Sequence, residues 1–175
     1  MPHLEPEPLD LSEALTTDNP LWQYALTCWQ NPAMVEACLE LQARGWSVTR
    51  ILCAGWLAQK KQRFAGVEAA KVTEWRGRVT GRIRSARKSI PKHSSQHGPL
   101  REMLAKAELE AEKTELALAW TTLSQSAPET DTGGDHQELL QNNLLAAAPG
   151  KDLTPPVRAI LTNLADHLAS GAHSS

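Results

Sequence analysis

The chain has 175 residues, 41% of them hydrophobic and 22% charged, with a formal net charge of −2. That length suits one domain plus flexible ends, and the balance is that of a soluble globular protein. No apolar run approaches the roughly 20 residues a membrane span requires. The start, MPHLEPEPLDLSEAL, is acidic and proline-bearing and lacks the basic, then apolar, layout of a secretory signal, so the cytoplasm is the expected location.

Residues 1–18 read as a flexible acidic arm with a short turn around Leu11 to Leu15. Asn19-Pro20 supplies a polar N-cap followed by proline at the first helical position, and Asn31-Pro32 repeats the signal. The first helix carries Leu21, Tyr24, Ala25 and Cys28 at spacings of three and four, flanked by Trp22, Leu26 and Trp29. That pattern predicts a helix apolar around most of its circumference and largely buried. Met34, Val35, Cys38, Leu39 and Leu41 form the stripe of a second helix that ends at Gly45, and Ser47 caps a third, in which Gly55 offers a place for close helix approach. Four of the six tryptophans fall in residues 20–59, which marks this block as the structural base.

A fourth helix is predicted over about Val67 to Ile90, with Val72, Trp75, Val79, Ile83, Ala86 and Ile90 on one narrow stripe. Gly77 and Gly81 each cost about 1 kcal/mol relative to alanine there, so packing of the stripe is expected to hold the segment. After the loop Pro91 to Pro99, a fifth helix covers Leu100 to about Ser124, with Leu100, Met103, Leu104, Ala107, Ala111 and Leu118 on one side and Leu109, Leu116, Trp120 and Leu123 on another. Residues 126–175 read as linker, two short amphipathic pieces and a polar tail. The expectation is an all-α, compact bundle of about five core helices occupying residues 19–125, with helices four and five as a long antiparallel hairpin and the termini flexible.

Charge is distributed unevenly. Residues 50–92 hold twelve basic residues against Glu68 and Glu74, a local +10, which leaves −12 on the remainder. Arg76, Arg78, Arg82, Arg84, Arg87 and Lys88 form a candidate face for an anionic partner. Helix five offers Glu102, Glu108, Glu110, Glu112 and Glu115, so internal pairing across the hairpin is the favoured fate of this charge. A protein partner with an acidic surface comes next, and nucleic acid is not favoured, because no stacking platform accompanies the arginines.

Catalytic and metal signatures are not found. His93 and His97 sit in a loop without a local carboxylate or thiol partner, and Cys28, Cys38 and Cys53 lie in apolar helical patterns that suit buried, unreactive thiols. AELEAEKTE lacks the Glu-x-x-His of carboxylate metal bundles. Trp22, Trp29 and Trp56 read as core rather than as the lining of a ligand pocket. No catalytic, cofactor-binding or metal-binding residue is assigned, and no cofactor is expected.

The pieces LWQYAL with Trp29, NPAMVEACLELQ, GWSV, ILCAGWL, VTEWRGRV with IRSARK, and AELEAEK come in an order and spacing that resembles a gammaproteobacterial domain-of-unknown-function family of small, Trp-rich, all-helical cytoplasmic proteins, over about residues 20–123. The resemblance implies an all-helical protein with no catalytic residues to carry over. Three roles stay open at this point. They are a non-enzymatic protein-interaction or regulatory module using the basic helix 67–90, sequence-independent nucleic-acid binding through the same helix, and a small-molecule enzyme should polar groups meet in a cavity between helices.

Overall fold

Residues 5–11 and 14–171 are described in the computed structural model; the expected turn around Leu11 to Leu15 falls partly outside them, as does the end of the expected tail. Within them lie α1 (Pro20–Cys28), α2 (Pro32–Ala43), α3 (Val48–Gln59), α4 (Ala70–Trp75), a π-helical turn (Arg76–Thr80), α5 (Gly81–Lys88), α6 (Gly98–Gln125), α7 (His136–Ala146) and α8 (Pro155–Gly171). No strand occurs among the described residues, only an isolated antiparallel bridge between Gln62 and Thr130. The all-α expectation holds.

The capping chemistry of the first three helices follows the sequence closely. The Asn19 side chain accepts from the Trp22 amide at 2.9 Å, Asn31 from the Ala33 and Met34 amides, and Ser47 from the Arg50 amide. Each cap satisfies amide donors that the first helical turn leaves open. At the end of α2, Gly45 adopts φ +90°, and the Trp46 amide reaches back to the Leu41 carbonyl at 3.0 Å while the Gly45 amide reaches Gln42. This is a Schellman closure, which needs a residue free of left-handed strain at the glycine position. It turns Trp46 into the core, where it is 4% exposed.

Helix α3 is central, packing against α1, α2, α6 and α7, while α8 closes over α2 and α7. Gly55 does permit close approach: a Cβ there would stand 2.2 Å from the Tyr24 hydroxyl of α1. The C-terminal residues form more than a linker and weak helices, which corrects the division after residue 125. Leu139, Leu140 and Leu144 of α7 and Val157, Leu161, Leu164 and Leu168 of α8 belong to the same buried cluster as α1 to α3. A polar clamp joins them: Asn143, 2% exposed, accepts from the Phe64 amide at 2.9 Å and donates to the carbonyls of Ala54 and Gln62.

The hairpin differs most from expectation. The segment 70–88 is not one straight α-helix, because the π-helical turn inserts i→i+5 geometry, with the Gly81 amide donating to the Arg76 carbonyl. The extra residue rotates the inward face away from the periodic apolar stripe. Of the six stripe residues only Val72 is buried, and Ala86 is exposed. Beyond Trp75 the side chains facing α6 are Arg76, Arg84 and Arg87, with Thr80 buried between them. Apolar packing of the stripe therefore holds only the start of the segment, through Val72 and Trp75. Ion pairs carry the contact beyond it, and the Trp75 indole N–H donates to the Ala111 carbonyl at 2.9 Å.

The two glycines of this segment should respond oppositely to alanine. A Cβ at Gly81 would lie 2.9 Å from the Arg76 carbonyl oxygen, a backbone atom fixed by the π-helical turn, whereas one at Gly77 meets nothing within 4 Å. Gly77→Ala is expected to stabilise by about 0.5–1 kcal/mol through helix propensity, and Gly81→Ala to destabilise despite the same propensity gain. Paired urea melts measure both, and equal stabilisation by the two would remove the steric role assigned to Gly81.

Candidate functional site: the hairpin and the groove beside it

The hairpin is antiparallel, so ascending positions on the π-helical turn and α5 meet descending positions on α6. Arg76 forks onto Glu68 at 2.8 and 2.7 Å and reaches Glu115 at 3.1 Å. Arg84 bridges Glu108 at 2.8 Å and Glu112 at 3.0 Å, and Arg87 also bonds Glu108. Arg50 of α3 completes the lower end, bonding Glu68 at 3.0 Å and the carbonyls of Ala146 and Ala147. Arg101 donates to the Arg87 and Ile90 carbonyls and fastens the tip.

Burial and pairing compete at these carboxylates. At Glu68 and Glu108 burial pushes the carboxyl up, but hydrogen bonds and charge from Arg76 with Arg50, and from Arg87 with Arg84, outweigh it and leave both below the ordinary range. Glu112 is the opposite case: burial raises it, the single Arg84 contact does not compensate, and Glu108 and Glu115 push the same way. Glu115 is 3% exposed, and its Oε1 is buried without a hydrogen-bond partner among the described residues.

The six basic residues singled out in the sequence therefore have three fates. Arg76, Arg84 and Arg87 are engaged with Glu68 and the carboxylates of α6. Arg78 and Arg82 are exposed on the outer side; Arg78 pairs with Glu74 at 3.0 Å and donates to the Glu7 backbone carbonyl of the acidic arm, and Arg82 has no ion pair among the described residues. Lys88 is exposed, likewise without an ion pair there, and lines a groove between α1, α5 and α6.

That groove was not legible in the sequence. It encloses about 770 Å³ and is lined by Trp22, Leu26 and Trp29 of α1, by Trp46, and by Leu109 and Leu116 of α6. Leu26, Trp29 and Leu109 are 43%, 42% and 52% exposed, so α1 is not buried around its circumference as its composition predicts. The tryptophan reading is corrected in part: Trp22 and Trp29 line this groove, while Trp56 stands apart from it beneath the Lys60 ammonium. Arg76, Arg84, Glu112 and Glu115 contribute to its polar side. No spacing signal separates a helix face that meets a neighbour from one that meets a gap.

Other chemistry is quiet. Burial pushes the three thiols up, to about 11 at Cys28 and about 12 at Cys38 and Cys53, which suppresses thiolate at neutral pH. Among the described residues no group of three or more His, Cys, Asp or Glu side chains could hold a metal ion, and no helix is long and apolar enough to cross a membrane.

Residues 20–119, more than half of the chain, match the profile of a family described as protein of unknown function (DUF2390). The match takes in α1 to α5 and most of α6. Neither a curated protein nor a solved structure matches the chain.

Proposed function

Since this chain belongs to the DUF2390 family, whose function is unknown, we propose its role from geometry: a non-enzymatic protein-interaction module that docks an acidic, extended segment of a partner on the outer side of the π-helical turn and α5. The observation that carries this reading is intramolecular. The chain's own acidic arm already lies there, with the Glu7 carbonyl accepting from Arg78, and Arg82 stands one turn further on with its guanidinium uncommitted among the described residues. The arm thus touches the surface through its backbone, as an extended partner segment would, and it is a built-in competitor for it.

Two further observations support a binding role over the others. Arg76, Arg84 and Arg87 are spent on carboxylates, which leaves a narrow strip of charge suited to one acidic strand rather than the broad field that tracks a nucleic-acid backbone. The charged groups that meet beside the groove largely neutralise one another, and the thiols are buried and protonated, so no activated nucleophile or poised acid and base pair emerges.

Fluorescence anisotropy with a labelled peptide of residues 5–11, EPEPLDL, tests the reading against the chain lacking residues 1–11. Binding should be saturable, weaken with salt, fall at least tenfold in Arg78→Glu/Arg82→Glu, and be weaker in the full chain, where the arm competes. No binding, or binding indifferent to the double variant, rejects the proposal. Labelled single-stranded DNA bound more tightly than the peptide on the same face would favour the nucleic-acid role instead.

A further inference from the structure

The apolar period of segment 70–88 continues past the point where the core uses it. Val72 and Trp75 pack on the core, but Ile83 and Ala86 of α5, like Leu100, Met103 and Ala107 of α6, are neither part of the buried cluster nor packed against it among the described residues. Met103 is 67% and Leu100 52% exposed, Ala86 and Ala107 are exposed, and Ile83 is half-buried. These residues share one face of the hairpin. A helix turns about 100° per residue, so the positions just before and just after an inward-facing residue lie on opposite sides of it. Leu109 and Lys88 follow Glu108 and Arg87 and line the groove beside α1, whereas Ala107 and Ala86 precede the same two residues and Ile83 precedes Arg84. Met103 and Leu100 stand one and two turns before Ala107, on its side of α6. The face away from the groove is therefore an apolar seam along both helices, a surface that marks an interaction site when it stays open to water.

The edges of the seam carry charges of opposite sign that the hairpin does not pair. Arg82 on α5 and Glu110 on α6 are exposed, and neither has an ion pair among the described residues. Each is two positions from an inward-facing residue, Arg84 and Glu108, or about 200° of turn, so they stand on opposite outer edges and do not meet within one copy. Their heights nevertheless agree. Arg84 bonds both Glu108 and Glu112, which centres it on Glu110, and Arg82 lies about 3 Å further along the axis at 1.5 Å per residue.

We propose that the seam is covered by a second copy of this chain, two hairpins packing face to face as a four-helix bundle about a twofold axis that runs along the hairpin. Such an axis lays α5 of one copy antiparallel on α6 of the other and leaves heights unchanged. Ile83 and Ala86 then meet the α6 seam of the other copy, and Arg82 of each copy stands beside Glu110 of the other, like the flanking charges of a coiled coil. Charge selects both the occupant and the arrangement. A twofold axis across the hairpin would lay basic α5 on basic α5, and a wholly acidic or wholly basic partner would set like charge against Glu110 or Arg82. Arg82 also belongs to the strip assigned above to an acidic segment, so dimer and segment compete there, but the seam uses other residues and this inference does not rest on that reading.

Sedimentation equilibrium of the full chain tests the assignment. The wild type should form a reversible dimer of twice 19.2 kDa at micromolar concentration. Met103→Glu should weaken it at least a hundredfold, and Ala86→Glu, on the facing helix, should do the same; both positions are exposed, so circular dichroism melts should match the wild type. Arg82→Glu and Glu110→Arg should each weaken the dimer at least tenfold, and the two combined should restore it. Binding of the EPEPLDL peptide to the chain lacking residues 1–11 should be unchanged by Met103→Glu, so failure of this inference and failure of the docking reading are seen separately. A monomer up to millimolar concentration, a dimer indifferent to Met103→Glu and Ala86→Glu, or a charge exchange that does not restore association overturns the assignment.

Discussion

Arg76→Ala should lower folding stability by about 3–5 kcal/mol, the range found when one partner of a buried ion pair is removed and the other stays charged. Against a usual total of roughly 5–15 kcal/mol this is a severe loss. The cause is local. Glu68 keeps Arg50 after the truncation, but Glu115, whose side chain is 4% exposed, loses the one hydrogen-bond donor it has among the described residues. Urea denaturation checks the size, with Arg78→Ala as the control, since an exposed i,i+4 pair contributes only about 0.3–0.5 kcal/mol. Arg76→Leu combined with Glu115→Leu should recover much of the loss, because it removes the stranded charge as well. A drop below about 1 kcal/mol in Arg76→Ala would mean that water already reaches Glu115. The same carboxylates set the acid limb of stability. Glu68 and Glu108 titrate below their unfolded value of about 4.3, so their contribution is complete above that pH and is lost as the pH falls through their depressed folded values. Glu112 is raised and acts in the reverse sense, favouring the folded state when protonated and losing that contribution as the pH climbs through its folded value.

Asn143→Ala is expected to cost about 2–4 kcal/mol, from up to three backbone groups losing a partner around a buried side chain. The Phe64 amide is the most exposed to loss, since its hydrogen bond runs to the Asn143 side chain, whereas the Ala54 carbonyl lies inside α3. The damage should concentrate at the junction of α3, the 60–64 turn and α7, a region also held by the Arg63 amide to Glu129 carbonyl bond and the Asp131 amide to Lys61 carbonyl bond. Hydrogen exchange should show α7 and α8 opening well before α1 and α2 in the variant. Uniform loss of protection across all helices would instead mark Asn143 as part of one indivisible cooperative unit.

The sequence was readable where local chemistry decides the outcome. Asn19, Asn31, Ser47 and Gly45 act within three or four residues of themselves, and their signals need no knowledge of the rest of the chain. The Cys and Gly55 readings followed from apolar context in the same way. In segment 70–88 the apolar period is genuine, but the fold buries it only as far as Val72 and Trp75. Glutamates up to 39 residues away select the arginine face, and the π-helical turn supplies the rotation that presents it. The depth of α7 and α8 was missed for a related reason. Their leucine spacing was visible, yet short helices behind a glycine-bearing linker gain their place only through Asn143 and the surface of α2 and α3. The groove is a property of how far α1 stands from the hairpin, which Leu26 and Trp29 cannot encode in their spacing.

The closure of α8 over α2, and of α7 over α3, decides how much of the chain the core needs. The family match ends at residue 119, before either helix begins, so the matched segment is shorter than the stretch of chain that encloses the core. Leu41 and Leu57, fully sheltered here, sit on helices that need a cover from somewhere. Cut at residue 119, this chain should leave the apolar faces of α2 and α3 bare to water, so the matched segment expressed alone should be prone to self-association.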